Sequence, residues 1–409
     1  MISRREAFLF RAATGLILAH VIVDSFIALE PGASRLEHVV PAAIALAVGV
    51  RAAWRYPGLR PGFRASLALL FGILALAAGS VAAVHAVGPG PSGDDWTGLL
   101  LLPAGAALCL LGVAVLWRSR KRGGRRWLRR ALIAIAAVAA AYWVVLPFVV
   151  GLVATHTPRD TVEPADLGRP YEPVSLETSD GLRLDGWYVP SENGAAILAY
   201  PGRSGPIPHA RMLAAQGYGV LLLDMRGRGE SEGDPNAFGW GATKDVAAAV
   251  DFLQSRPDVE DGRIGGLGLS VGGEQLLEAA AEDVELDAVV SEGAGTRTVS
   301  EDLTRGPAGW PSLPTSAVMT TATAVFSWDL PPASLEELVA EISPVPILLV
   351  YAGNGQGGED LNPTYFDAAG EPKAVWKIPE AGHTGGLEAR PDEYEQRVVG
   401  FFDQALLQD

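Results

Sequence analysis

Apolar and polar residues are distributed in two regimes along this 409-residue chain. Up to about residue 154 the apolar runs are long: Ala12–Leu29, Val39–Val50 extending to Trp54, Ala65–Val87, Trp96–Trp117 and Ala131–Ala154. A helix that crosses a bilayer needs about 20 predominantly apolar residues. The third, fourth and fifth runs meet that length outright, and the second is the weakest because Arg51 interrupts it near one end. An arginine so placed reaches the headgroups along its own aliphatic stem. The pattern predicts an all-α bundle of five transmembrane helices over 1–154. A Pro-rich linker follows over 155–170, containing Pro158, Pro164 and Pro170.

From Tyr171 the period shortens. Short apolar runs of strand length alternate with helical patterns, the signature of a parallel sheet built from βαβ units. Strands are predicted at Glu172–Thr178, Leu182–Val189, Ala195–Tyr200, Gly219–Asp224, Gly262–Leu267, Asp287–Ser291, Pro346–Tyr351 and Ala374–Ile378. The first two flank Asp180-Gly181, a hairpin signal. Helices are predicted at Ile207–Gln216, Thr243–Gln254, Glu274–Ala281, Asn362–Ala369 and Asp392–Leu407. The second domain therefore covers 171–409, with an insertion over about 294–344 that interrupts the alternation as a small cap.

Charge follows the same division. Residues 1–154 carry 16 Lys+Arg and 6 Asp+Glu, a net of +10, which leaves −25 for the rest of a chain whose total is −15. The acidic half has no basic patch, and this argues against a nucleic-acid partner. In the first half the basic residues gather in alternate loops. Arg4 and Arg5 precede the first run, Arg55, Arg60 and Arg64 follow the second, and Arg118 to Arg130 separate the fourth from the fifth. The positive-inside rule then puts the N-terminus in the cytoplasm and, with five crossings, everything after Ala154 outside it. His20, Asp24 and His85 lie at or near membrane depth, where hydrogen bonding between helices is the expected role. The single cysteine, Cys109, sits in an apolar run and permits neither an intrachain disulfide nor a cysteine metal cluster.

The chemistry sits in the acidic half. Ser270 lies in Gly268-Leu269-Ser270-Val271-Gly272, between an apolar run and a helical pattern. A strand, sharp turn and helix around G-x-S-x-G is the setting of a nucleophilic serine. Such a hydroxyl needs a base. His383, in the glycine-rich loop after the last predicted strand, is the candidate, whereas His156 falls in the linker and His209 in a helix with a packing role. An acid to orient the imidazole is expected in the loop 352–362. Asp360 is preferred because Asp360-Leu361-Asn362-Pro363 leads into the next helix; Glu359 is the alternative and Glu292 a third. An oxyanion hole calls for two preorganised N–H groups. Val271, at the start of the nucleophile helix, and Arg203, in the loop after the strand Ala195–Tyr200, are the candidate donors.

Four motifs occur in this order: Pro201-Gly202, Asp224-Met225-Arg226-Gly227-Arg228-Gly229-Glu230-Ser231, the Ser270 pentapeptide and Gly382-His383. In them residues 171–409 resemble the α/β-hydrolase superfamily, in particular its branch of dipeptidyl-peptidase-like and serine aminopeptidase-like esterases. The sequence departs from that pattern at Tyr200-Pro201-Gly202, where many members have His-Gly, and in an acid loop lengthened by glycines. The resemblance implies an α/β-hydrolase fold, a structural role for the Asp224–Ser231 turn, and no cofactor or metal. The expected function is a membrane-anchored serine hydrolase acting on an ester, with lipid and acyl esters among the candidates, or on an amide. Acyl transfer to another acceptor is one alternative reading. A membrane sensor or transporter with a degenerate hydrolase domain is another.

Overall fold

The computed structural model describes residues 4–27, 35–87, 95–119, 124–155, 166–202, 205–355 and 357–408. The chain divides into two compact units between Leu146 and Pro147. The division falls eight residues before the boundary expected from hydropathy, so the last turns of the fifth apolar run go with the second unit.

The first unit is helical: Arg4–Ile22 continued by a π-turn to Ile27, then Arg35–Arg55, Pro61–Val87, Leu101–Arg118 and Gly124–Ala140. Among the described residues, four helices are long and apolar enough to cross a membrane, namely Arg4–Ile27, Pro61–Ser80, Trp96–Arg118 and Leu128–Ala154. The expected second span is a 21-residue helix, Arg35–Arg55, but is not among them. Its apolar centre is bounded by arginines and a proline-containing first half. Helices Pro61–Val87 and Leu101–Arg118 approach closely, so that a Cβ on Gly105 would stand 2.7 Å from the Gly72 carbonyl oxygen. Small residues at such crossings let backbones pack without intervening side chains. The start of the first helix is tied to the end of the second and the start of the third. Phe10 stacks on Tyr56 at 3.8 Å between centroids, Arg11 Nε donates to the Ala53 carbonyl at 3.1 Å, and Glu6 pairs with Arg64 at 3.2 Å. At the other end of that helix, His20 Nδ1 lies 3.0 Å from Thr97 Oγ1, an interhelical hydrogen bond. The side chains of Asp24 and His85 lie outside the described residues.

The second unit is built on one eight-stranded sheet: β1 (Glu172–Glu177), β2 (Arg183–Val189), β3 (Ala196–Tyr200), β4 (Gly219–Leu223), β5 (Ile264–Leu269), β6 (Ala288–Glu292), β7 (Ile347–Asn354) and β8 (Lys373–Gly382), in the order β1-β2-β4-β3-β5-β6-β7-β8. β3 to β8 run parallel, while the β1-β2 hairpin is antiparallel and joins β4 antiparallel. The central strands are buried over their whole length because helices cover both faces. Thr243–Gln254, Val271–Ala281 and Asn362–Ala368 pack on one face, and Ile207–Ala215 and Pro391–Leu406 on the other. The insertion folds into helices Val299–Thr304 and Leu313–Ser327, followed by Leu335–Val339, whose Leu335 and Val339 join the core. A doubly wound sheet of this kind collects its reactive groups at the carboxyl ends of the strands.

The Asp224–Ser231 turn is structural, as its resemblance implied. Ser231 Oγ donates to the Asp224 carbonyl at 2.7 Å and accepts from the Asp185 N–H at 2.9 Å. Arg226 is held by the buried Asp245 through its backbone N–H at 3.0 Å and its guanidinium at 2.6 and 2.9 Å.

Candidate active site

Ser270 follows β5 and caps the helix Val271–Ala281 with φ 54° and ψ −124°. A non-glycine residue rarely holds such a conformation, and it persists only where the surroundings fix it. Here the Ser270 N–H donates to the Glu292 carbonyl at 2.7 Å, pinning the turn to the end of β6. The flanking glycine is needed for space: a Cβ on Gly268 would lie 2.5 Å from the backbone of Gly272 and Gly273. The turn presents Ser270 to a cavity at the end of the strand and starts the helix at the next residue. Val271 is at that position and lines the cavity in front of the serine.

His383 follows β8 and its Nε2 stands 2.9 Å from Ser270 Oγ. Its Nδ1 stands 2.6 Å from Glu359 Oε1. With Nδ1–H donating to that carboxylate, Nε2 presents a lone pair to the serine hydroxyl. Glu359 is 2% exposed, and its other oxygen accepts the Ala352 N–H at 2.9 Å. Both carboxylate oxygens are therefore fixed.

The preferred acid of the sequence reading is thus corrected. Asp360 faces away, 58% exposed, and forms an ion pair with Arg305 at 3.0 Å. Glu359–Leu361 is a single 3₁₀ turn entered through Gly358 at φ 98°. Successive side chains of such a turn point about 120° apart, so only one of two adjacent carboxylates can face His383. Glu292, the third candidate, is buried beneath the histidine loop. It accepts the Gly386 N–H at 2.8 Å and the Tyr394 hydroxyl at 2.5 Å, and His209 Nε2 lies 3.4 Å away. Burial opposes its charge, yet His209, Tyr394 and the Gly386 N–H hold its pKa below the usual carboxylate range. It anchors the loop that carries His383. His209 has the packing role expected of it. Arg203 and His156 lie outside the described residues.

The cavity in front of Ser270 has a volume of about 390 Å³. Phe238, Trp240, Val150 and Met319 give it apolar walls, and Glu274 and Arg297 form a polar patch. These two were missed from sequence. Glu274 accepts the Gly295 N–H at 3.0 Å and faces Arg297 Nε at 3.7 Å, and Arg297 also binds Glu278. Burial raises the Glu274 pKa, against the pull of Arg297 and the Gly295 N–H. One signal was available: Glu274 is four residues after Ser270, hence on the same helix face.

The comparisons agree with this architecture. The profile of the X-Pro dipeptidyl-peptidase (S15) family matches residues 153–340. The uncharacterised protein Rv2307c of Mycobacterium tuberculosis (strain H37Rv) is 31% identical over 223 residues, covering 51% of this chain and 71% of its own length. The uncharacterised protein YfhR of Escherichia coli (strain K12) is 28% identical over 251 residues, covering 58% and 81%. Among solved structures, the Pyrococcus furiosus esterase Pf2001 superposes with a TM-score of 0.51 at 21% identity, covering 61% of this chain and 97% of the esterase. That likeness is one of fold.

Proposed function

We propose that this chain, which belongs to the α/β-hydrolase superfamily, is a membrane-anchored serine hydrolase that cleaves a carboxylic ester through an acyl-enzyme. The observation that carries the reading is the unbroken row Ser270 Oγ, His383 imidazole, Glu359 carboxylate at 2.9 and 2.6 Å. Ser270 Oγ attacks the ester carbonyl while its proton passes to His383 Nε2. The imidazolium that results is stabilised across Nδ1–H by Glu359. The oxyanion of the tetrahedral intermediate accepts from the Val271 N–H, whose donation strengthens as charge develops. Collapse expels the alcohol, which takes the proton from Nε2. Water then repeats the sequence on the acyl-enzyme, with His383 as base. A fluorophosphonate probe should label the wild-type serine covalently, and equal labelling of Ser270→Ala would refute the assignment.

The anchoring and its direction belong to the same reading. Arg35–Arg55 rises about 31 Å at 1.5 Å per residue, close to the ~30 Å of a hydrocarbon core. The contacts of Phe10, Arg11 and Glu6 with Tyr56, Ala53 and Arg64 support its return past the first helix. The His20–Thr97 bond at the opposite end supports the same zigzag. Five traverses put the hydrolase unit outside the cytoplasm, on the side opposite the N-terminus. Accessibility of single cysteines introduced on the hydrolase surface to an impermeant thiol reagent in intact cells tests this. Labelling only after lysis would refute it.

A further inference from the structure

The last apolar run of the chain ends inside the hydrolase unit as part of its cavity. Helix Leu146–Ala154 has two faces. Pro147, Gly151 and Ala154 are buried, whereas Leu146, Val150 and Val153 are 47%, 39% and 54% exposed. The buried face rests on the cap helix Leu313–Ser327. A Cβ on Gly151 would stand 2.8 Å from Ala322 Cβ and 3.0 Å from the Met319 carbonyl oxygen, and Phe148 meets Phe326 edge-on at 5.6 Å. The Ala154 carbonyl accepts the Ala237 N–H at 2.8 Å, fixing the end of the helix to the domain. Val150 from this helix and Met319, Thr320 and Thr323 from the cap helix line the cavity that holds Ser270 and His383.

The pairing of Phe148 with Phe326 and of Gly151 with Met319 to Thr323 makes the two helices antiparallel. The C-terminal end of the cap helix therefore lies beside the Phe148 end of this helix, which closes an apolar run, Leu128–Ala154, long and apolar enough to cross a membrane. At that end Val325, Trp328 and Leu330 are 58%, 91% and 87% exposed. A tryptophan so exposed at the end of an apolar helix is of the kind that forms the aromatic belt at a bilayer surface.

We infer that the substrate is an acyl-ester lipid taken directly from the bilayer, with Trp328 and Leu330 seated in the interface. Its acyl chain follows the exposed Val150 and Val153 into the cavity between the two helices. This deepens, and rests on, the assignment of Ser270 as nucleophile. Each methylene kept out of water is worth roughly fourfold in partition, so an unbroken apolar path avoids the penalty of extracting the lipid. The ester C–O bond breaks as the Ser270 Oγ–acyl bond forms. The leaving lysolipid hydroxyl takes the proton from His383, and water releases the fatty acid.

The test uses the full chain reconstituted in 3:1 phosphatidylethanolamine–phosphatidylglycerol vesicles. Fatty-acid release from the vesicle lipid is compared with turnover of a soluble butyrate ester, and Ser270 is followed with a fluorophosphonate. Wild type should release fatty acid. The ratio of vesicle to butyrate turnover should fall at least tenfold in Trp328→Ala/Leu330→Ala, and separately in Val150→Trp, which plugs the chain path. Fluorophosphonate labelling without fatty-acid release, or a ratio unchanged within twofold in both variants, overturns the lipid inference and leaves the nucleophile standing. Loss of Ser270-dependent labelling together with all turnover overturns both.

Discussion

Replacing Glu359 by glutamine isolates the choice between two adjacent carboxylates. In the native site Oε2 is taken by the Ala352 N–H at 2.9 Å and Oε1 by His383 at 2.6 Å. Glutamine has one acceptor oxygen, and the Ala352 N–H can bond only to it. The amide NH₂ is then turned toward His383 Nδ1, which must give up its proton to accept. That tautomer carries its hydrogen on Nε2 and cannot receive the Ser270 proton. Separately, an opposite charge 2.6 Å from the imidazolium is worth about 6 kcal/mol at an effective dielectric of about 20. The same carboxylate-to-amide change in other serine triads costs about 10⁴ in kcat, or about 5 kcal/mol at 1.36 kcal/mol per decade. Because the imidazolium forms only on the way to the transition state, the loss should fall on kcat, by roughly 10³–10⁴, with KM little moved. Asp360→Asn, which breaks only an exposed pair with Arg305, should stay within about twofold. Ester turnover of both variants, with circular dichroism melts to verify folding, decides the matter. A fall of more than tenfold in Asp360→Asn, with near-native Glu359→Gln, would sink the assignment.

Two further outcomes follow from the geometry. Burial pushes Asp224 up to about 6 from its ordinary 3.8, so folding favours its protonated form. Its contribution to stability is intact below pH 3.8 and is lost as pH rises through about 6. Asp224→Asn should therefore melt higher than wild type at pH 8, by a margin equivalent to about 1–3 kcal/mol, with the gain vanishing near pH 4; a constant offset across that range would contradict the argument. Gly268→Ala drives a Cβ to 2.5 Å from Gly272 backbone, and neither strand nor helix can yield there. Fluorophosphonate labelling should drop by about a hundredfold or more, with a stability cost of roughly 1–3 kcal/mol; labelling at the native rate would show that the turn is not strained as described.

The parallel sheet was legible because buried strands write themselves as short apolar runs, and all eight runs became strands. β5 is displaced by two residues from its expected bounds, since Gly265, Gly266 and Gly268 dilute the apolar signal at its end. Ser270 and His383 were legible from turn chemistry and chain order. Glu359 against Asp360 was not, because the choice is a rotation of about 120° within one turn. Nor was the fate of 147–154. Hydropathy reports that a helix is apolar, and not whether its apolar face meets lipid or protein. The small residues Gly151 and Ala154 carry that information only once Ala322 and Met319 are seen against them.

The polar patch of the cavity bears on which acyl compounds fit. A dipeptidyl-peptidase must locate the amino terminus of its substrate, which calls for a carboxylate with a free face toward the cavity. Among the described residues lining this cavity, Glu274 is the only acidic one. Its Oε1 is taken by the Gly295 N–H and its Oε2 faces Arg297, which is shared with Glu278, while the Arg297 N–H donates to Glu301 at 2.6 Å. An incoming ammonium would have to displace a buried guanidinium from that cluster. Removing one partner of a buried pair costs about 3–5 kcal/mol, more than a single amine contact returns. The cluster instead ties the nucleophile helix, through Glu274 and Glu278, to the segment Gly295–Arg297 at the base of the cap. With the Glu274 oxygens taken by the Gly295 N–H and Arg297, the apolar walls Val150, Phe238, Trp240 and Met319 are left to hold a substrate, and this supports an acyl ester over a peptide.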